Sequence, residues 1–215
     1  MIVIDPKGEN VAVTAQRRRA MGQQVVVLDP MQVTDEAGGA FNPLDGVDIG
    51  QALAVDELAA LARALCGGAA ADPRDAFWRQ RAEQLLLATL LLVLQEGGAH
   101  GGLFAVRRLL GDAAADPVAL AARMRRCPHP EVQRIAPMLQ IGAEQTLGGI
   151  VAFAQDAVDF LRGDLVERCV SHTSFDLQAV TQGQPLSIYI VLPPHMLESH
   201  GRLLRLWLTA LMQAI

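Results

Sequence analysis

Lysine is nearly absent from this 215-residue chain: 17 of its 18 basic residues are arginines, and Lys7 is the single lysine. Cysteine is scarce too. Cys66, Cys127 and Cys169 lie far apart without a Cys-x-x-Cys pair, which argues against a disulfide scaffold or zinc ribbon and leaves reduced cytosolic thiols as the default. Charged residues, at 19%, are too few for a coiled-coil rod, and 51% hydrophobic residues is too apolar for a disordered chain. A net charge of -5 excludes a histone-like or ribosomal-type DNA binder, though not a local basic patch. The longest apolar run, Leu85 to Leu94, is about half of what a membrane span needs. The opening Met1-Ile2-Val3-Ile4 carries neither the basic region nor the cleavage site of a signal peptide.

Several chemical signatures are missing as well. There is no Gly-x-x-x-x-Gly-Lys-Ser/Thr phosphate loop, no Gly-x-Gly-x-x-Gly fingerprint, no Gly-x-Ser-x-Gly elbow and no apolar strand ending in Asp-Glu. His100, His129, His172, His195 and His200 never fall at zinc spacing with a carboxylate between them, so no metal site is expected. The arginine bias fits codon usage in a GC-rich genome, as does the abundance of alanine. That is the first explanation; the other is that Lys7, if drift turned the remaining basic positions to arginine, sits where a guanidinium does not fit.

What is present divides into three stretches. Residues 1–46 predict a β-α-β unit. Met1-Ile4 and Val25-Leu28 are continuously apolar, as in strands buried on both faces of a parallel sheet, with a helix through Val11 to Ala20 between them and Gly22 as its C-cap. Both strands end in the same Asp-Pro step, at Asp5-Pro6 and Asp29-Pro30. An irregular stretch with Gly38-Gly39 and Phe41-Asn42-Pro43-Leu44-Asp45 follows. Residues 47–173 predict an all-α insertion without a strand. Val55, Leu58, Leu61, Ala62 and Leu65 recur at helical spacing up to Gly67-Gly68. Asp72-Pro73 starts a helix that runs to Glu96 and Gly97-Gly98, apolar on every side over Leu85–Leu94 and therefore the buried centre of a bundle. Asp116-Pro117 repeats the start signal before Val118–Arg126, which Pro128 ends; Phe104–Leu110 and Ala143–Leu161 supply further helices. Residues 174–215 return to α/β, with a turn at Gln182-Gly183-Gln184, a strand over Leu186–Leu192 ending at Pro193-Pro194, and a helix from His200 to Ile215. Three strands leave an unpaired apolar edge on each end strand, so the chain has the look of the middle of something larger.

The turn Asp5-Pro6-Lys7-Gly8-Glu9 is the most informative spot. Loops at the C-terminal ends of parallel strands are where ligands bind, and here Gly8 permits a sharp turn between two carboxylates and an ammonium. Such a group can hold a phosphate through Lys7 or orient a metal-bound water, with Glu9 as candidate base. A solvated β-α turn, with Glu9 favouring the helix dipole, explains the same residues. Arg17-Arg18-Arg19 and Arg123-Arg125-Arg126 have phosphate contacts with nucleic acid as one reading and a solvated face or salt bridges between subunits as the other. Neither cluster interleaves aromatics, so base stacking is not indicated. Phe77-Trp78 and Trp207 read as core or interface anchors.

Taken in order, Val3-Ile4-Asp5-Pro6-Lys7-Gly8-Glu9, Thr14, the arginine run, Gly22, Val25–Pro30, Phe41-Asn42-Pro43-Leu44, Phe77-Trp78 with Ala82, Ser174-Phe175-Asp176-Leu177 and Tyr189–Pro194 resemble the central part of the type IV secretion coupling proteins, the TraG/TraD conjugation ATPases. The likeness runs from end to end of the chain, although FtsK-like motors share the Asp-Pro-Lys step. It implies an α/β fold: a partial RecA-like P-loop NTPase parallel sheet interrupted by an all-α insertion domain. It also implies ATP with magnesium as the nucleotide, Glu9 polarising the attacking water, and Asp5, Lys7 and Gly8 shaping the pocket. Further implications are homo-hexamers at the cytoplasmic face of the bacterial inner membrane, held there by segments this chain lacks, with DNA, a relaxase or relaxosome, secreted effectors and secretion-channel proteins as partners. By the same likeness the phosphate loop belongs upstream of Met1 and the Asp-Glu strand beyond Ile215, so the chain is expected to be a soluble fragment that does not hydrolyse ATP alone. Two other roles stay open: a helical module that docks a relaxase or effector with no catalysis, and an unrelated α/β enzyme using Asp5, Lys7 and Glu9.

Overall fold

The computed structural model describes residues 1–67, 73–97, 102–140 and 144–214. Gly68, Asp72, Gly98, His100, Ala143 and Ile215, which enter the helix boundaries, histidine spacings and links drawn above, lie outside the described residues. The chain divides into two compact units, Met1–Gly46 with Arg162–Ile215, and Val47–Leu161.

The first unit is α/β. Strands β1 (Ile2–Ile4), β2 (Gln24–Leu28) and β3 (Leu186–Ile190) form a parallel sheet in the order β1-β3-β2, so the last strand in sequence lies between the first two. The register pairs Ile4 and Leu28 each with Ile190. Every residue of β3 is buried, which is why its run Leu-Ser-Ile-Tyr-Ile needs so few polar positions. Helix α1 (Glu9–Ala20) buries Val11 and Ala15 against Val27, Tyr189 and Val191. Glu9 in its first turn and Arg17–Arg19 in its last both complement the helix dipole. The two outer edges of the sheet differ. Beside β2, the Gly39 amide donates to the Val27 carbonyl at 2.7 Å, so that edge is covered rather than bare. Only glycine fits there, since a methyl group would come within 2.9 Å of Val26 Cγ1. Beside β1 no strand pairs among the described residues, and Ile4 is 49% exposed. The unit is completed by α8 (Asp164–Val170), α9 (Gln178–Thr181) and α10 (Leu197–Gln213).

The second unit is helical throughout its described residues: α2 (Ala54–Cys66), α3 (Pro73–Gln95), α4 (Gly102–Ala115), α5 (Pro117–Arg126), α6 (Pro130–Ile135) running into a 3-10 turn (Ala136–Leu139), and α7 (Glu144–Val158). Helix α3 packs against α2, α4, α6 and α7, and its residues from Leu85 to Val93 are all buried. Thr89, the polar residue in that run, keeps its hydroxyl bonded to the Leu86 carbonyl at 2.9 Å. The helix starts are chemically marked. Asp116 accepts from the Ala119 amide, and His129 Nδ1 accepts from the Glu131 amide, each with proline at the first helical position. Trp78 lies against Gly149 of α7, where a methyl group would come 2.7 Å from the indole.

Helices α6 and α8 lie where sequence periodicity gave no signal. Each is too short, at 6 and 7 residues, to display an apolar stripe, and α6 opens on the Pro130 that follows a chain-stopping Pro128.

Candidate functional site

The three strands end at one level, and each is followed by a structured turn. Because Ile4 and Leu28 share Ile190 as partner, the two Asp-Pro corners emerge on either side of β3. The Asp5 amide donates to the Ile190 carbonyl and the Val191 amide to the Leu28 carbonyl, each at 2.9 Å.

Asp5 is 1% exposed. Its Oδ2 accepts from the Val11 amide at 2.8 Å and its Oδ1 from Asn10 Nδ2 at 3.3 Å, so both oxygens serve the first turn of α1. A buried carboxylate needs such donors, and free helix amides supply them. Asp29 does the same work on its own side. Its oxygens accept from the Val33 amide at 3.0 Å, the Thr34 amide at 2.8 Å and the Thr34 hydroxyl at 2.9 Å. The corners then meet. Gly8 has φ +73°, and a Cβ there would stand 2.5 Å from Thr34 Cγ2. Glycine is therefore required twice, for the left-handed backbone and for the close approach.

Lys7 and Glu9 differ from Asp5. Both are exposed and take no hydrogen-bond or salt-bridge partner among the described residues. The corner thus brings together a fixed buried carboxylate, a rigid glycine turn, and a free ammonium and carboxylate at the edge of a parallel sheet where ligands bind.

The arginine clusters do not act as clusters. Arg18 Nη1 reaches Gln23 Oε1 at 3.1 Å and Ser187 Oγ at 3.4 Å, and its Nη2 lies 3.2 Å from Met1 Sδ, at the opposite end of the strands from Lys7. Arg19 forms a two-pronged pair with Glu36, which lowers the Glu36 carboxyl below its ordinary range. Arg123 pairs likewise with Glu96, and Arg125 donates to Gln140. Arg126 bonds the Ala122 carbonyl of its own helix. Arg17 alone of the six is exposed with no such bond among the described residues.

Two of the quoted motifs turn out to bind each other, which sequence reasoning missed. The Ala40 amide donates to Ser174 Oγ at 3.0 Å, the Ser174 amide returns to the Ala40 carbonyl at 2.9 Å, and the Phe41 and Phe175 rings lie 5.5 Å apart. Buried Asn42 donates to Asp45 at 2.7 Å, which also accepts from the Thr173 hydroxyl at 2.7 Å. Trp207 Nε1 donates to the Phe41 carbonyl at 2.9 Å. The Asn-Pro-Leu and Ser-Phe-Asp strings are thus two halves of a brace beside β2. Each string sets a phenylalanine beside a short polar side chain, Phe41 with Asn42 and Phe175 with Ser174 and Asp176, and no sequence signal pairs the two.

A parallel α/β unit with a charged turn at its strand ends, carrying a helical unit within its sequence, defines the class. The family described as Type IV secretory system Conjugative DNA transfer matches residues 1–215, and the chain belongs to it. Two relatives, from Rhizobium radiobacter and from Agrobacterium fabrum strain C58, are each described as a conjugal transfer protein TraG. Each is 27% identical over 222 residues, covering 100% of this chain and 34% and 33% of the respective relative. The chain therefore spans about a third of the length of these curated relatives. Among the described residues no helix is long and apolar enough to cross a membrane.

Proposed function

We propose that the chain is the central section of a coupling ATPase of conjugative DNA transfer, and that its Lys7 turn faces the nucleotide in a partial RecA-like P-loop sheet. The observation that carries this reading is the free Lys7–Glu9 pair on a rigid turn at the ligand edge of the sheet, in a chain of this family. Lys7, exposed and unpaired, suits a phosphate oxygen. Glu9 suits the hydrogen-bonding of an attacking water, as general bases in phosphoryl transfer do. Asp5 and Gly8 act through the shape of the turn: Asp5 fixes its exit into α1, and Gly8 fixes its contact with Thr34.

ATP brings the phosphoryl group. For its magnesium, the described residues contain no group of three or more His, Cys, Asp or Glu able to hold a metal ion, so in this reading its ligands would come from other parts of the whole protein. In this reading the remaining phosphate contacts come from other parts of the whole protein. The protein would work as a homo-hexamer at the cytoplasmic face of the inner membrane, passing DNA with its relaxase, or secreted effectors, to the channel.

The test is Glu9→Gln in the whole protein, with ATP turnover and ATP binding measured side by side. Turnover is expected to fall by about 100-fold or more with binding retained, the scale set by losing a general base. Unchanged turnover would remove Glu9 from the chemistry. Lys7→Ala is expected to weaken nucleotide binding instead.

A further inference from the structure

Each of the turns that follow β1 and β2 contains a residue with left-handed backbone, Gly8 at φ +73° and Gln32 at φ +53°. Glycine takes that conformation at no steric cost. Glutamine does not, and Gln32 is the one residue other than glycine to adopt it among the described residues. Such a conformation persists only where the surroundings over-determine it. Here they do so through Asp29, which is 7% exposed. The Asp29 carbonyl accepts from the Gln32 amide at 3.2 Å, and its carboxylate accepts from the Val33 and Thr34 amides and the Thr34 hydroxyl. The Gln32 side chain itself is exposed and forms no hydrogen bond among the described residues. The strain therefore serves the residues that follow Gln32.

What the strained turn delivers is one methyl group. The bond from Thr34 Oγ1 to Asp29 Oδ2 fixes χ1 of a β-branched side chain. Its Cγ2 then lies against Gly8, 2.5 Å from where a Cβ would stand. Gly8 separates Lys7 from Glu9. Its carbonyl opens α1 by accepting from the Ala12 amide at 3.0 Å, but its amide has only a long bond, to the Asp5 carbonyl at 3.3 Å. Lys7 and Glu9 add no restraint, since neither side chain has a partner among the described residues. Where those two charged groups point thus depends on the residue type with the most backbone freedom, and on the methyl seated against it.

We infer that Thr34 is a positioning residue of the Lys7–Glu9 site: its methyl, and not its hydroxyl, confines the backbone at Gly8 so that the ammonium and the carboxylate on either side face one phosphoryl group. The inference rests on the ATPase reading above. Thr34 itself touches no substrate in it, and acts through Gly8. The two halves of the side chain can be separated. Thr34→Ser keeps the hydroxyl bonded to Asp29 and removes the methyl, whereas Thr34→Val keeps a methyl and both amide bonds and loses the hydroxyl.

The experiment measures kcat and KM for ATP in the whole protein, and hydrogen exchange at the Gly8 amide in the full chain without nucleotide. Thr34→Ser is expected to lower kcat about tenfold, the scale of a misoriented reacting group. KM should stay within about twofold, because the flexible Lys7 side chain still reaches a phosphate oxygen. Exchange at Gly8 should become several-fold faster. Thr34→Val is expected to match the unaltered protein in all three. The reverse order, with Val impaired and Ser intact, would reduce Thr34 to closing the Asp29 turn and overturn the inference, as would equal loss in both or loss in neither. Unchanged Gly8 exchange in Thr34→Ser overturns it as well. Gln32→Gly, which relieves the strain and leaves Thr34 in place, should keep kcat; a loss equal to that of Thr34→Ser would move the effect to the Gln32 side chain and also overturn the inference. Glu9→Gln separates the two levels. If it lowers turnover while Thr34→Ser does not, the positioning role fails and the ATPase reading stands; if Glu9→Gln is silent, both fail.

Discussion

The two units are built on opposite chemistry. The described buried polar residues are Asp5, Asp29, Asn42, Thr89, Ser187 and His200, and all but Thr89 belong to the α/β unit. There, buried oxygens and nitrogens hold loops in fixed shapes by directional bonds. The helical unit is a packed mass of leucine and alanine around α3, where the backbone satisfies itself and side chains need only fit. Directional bonding tolerates few replacements, whereas apolar packing tolerates many of similar volume. That contrast explains why the recognisable strings of this sequence concentrate in the α/β unit while the helical unit offers little beyond periodicity.

Four experiments can break or sharpen the contrast. The largest effect is expected from Leu90→Ala in the helical unit. Leu90 is 0% exposed, and a cavity at such a site costs about 2–5 kcal/mol in urea unfolding. Leu90→Met, by comparison, should cost less than about 1.5 kcal/mol. Asp5→Ala comes next, at about 3 kcal/mol, because it strands the Val11 amide in a buried site; Asp5→Leu, similar in bulk but without an acceptor, should do no better. If Asp5→Leu proves neutral, the corner is held by packing and the contrast fails. Gly8→Ala should cost about 2 kcal/mol through its positive φ and the approach to Thr34, with Thr34→Ser relieving part of the loss.

The smallest effects are electrostatic. His200 is pushed below its ordinary 6.5 chiefly by burial and then by the Arg162 charge. Its Nδ1 lies 2.8 Å from the Ser199 hydroxyl. The unfolded chain therefore binds that proton more readily than the folded one. The α/β unit should thus lose stability as pH falls through 6.5, and His200→Gln should flatten that slope in a pH series of urea melts. Glu36 behaves similarly lower down. Its lowered carboxyl stabilises above its ordinary 4.5 and the gain is lost as pH falls further, but the exposed pair with Arg19 makes this worth only a few tenths of a kcal/mol.

Much of the fold was legible. The strands announce themselves as the apolar runs Val3-Ile4 and Val25–Leu28, and α3 announces itself by being apolar on every side. Against expectation, β1 is not buried on both faces, because it lies at the edge left unpaired among the described residues, with Ile4 49% exposed. The strand order was not legible, because nothing in three apolar runs says that β3 inserts between β1 and β2. The site was half legible. Composition and position pointed to Lys7 and Glu9, but the burial of Asp5 depends on an amide six residues on, and the Gly8–Thr34 contact joins loops separated by a helix and a strand. The arginine runs admitted two readings as strings. Consecutive helical residues point in different directions, so Arg18 and Arg19 each meet their own neighbour while Arg17 meets none among the described residues.

The abutment of Gly8 on Thr34 has one further consequence. Asp29 clamps Thr34 by two bonds and the neighbouring Val33 amide by a third, so the lysine turn rests on a stop that is itself anchored to the adjacent strand. In the proposed reading, a ligand that displaced the lysine turn would press on Thr34 and so on the Asp29 turn, as between two teeth in mesh. A probe on the Asp29 side, such as the amide resonance of Thr34, should then register what Lys7 touches without lying in its path.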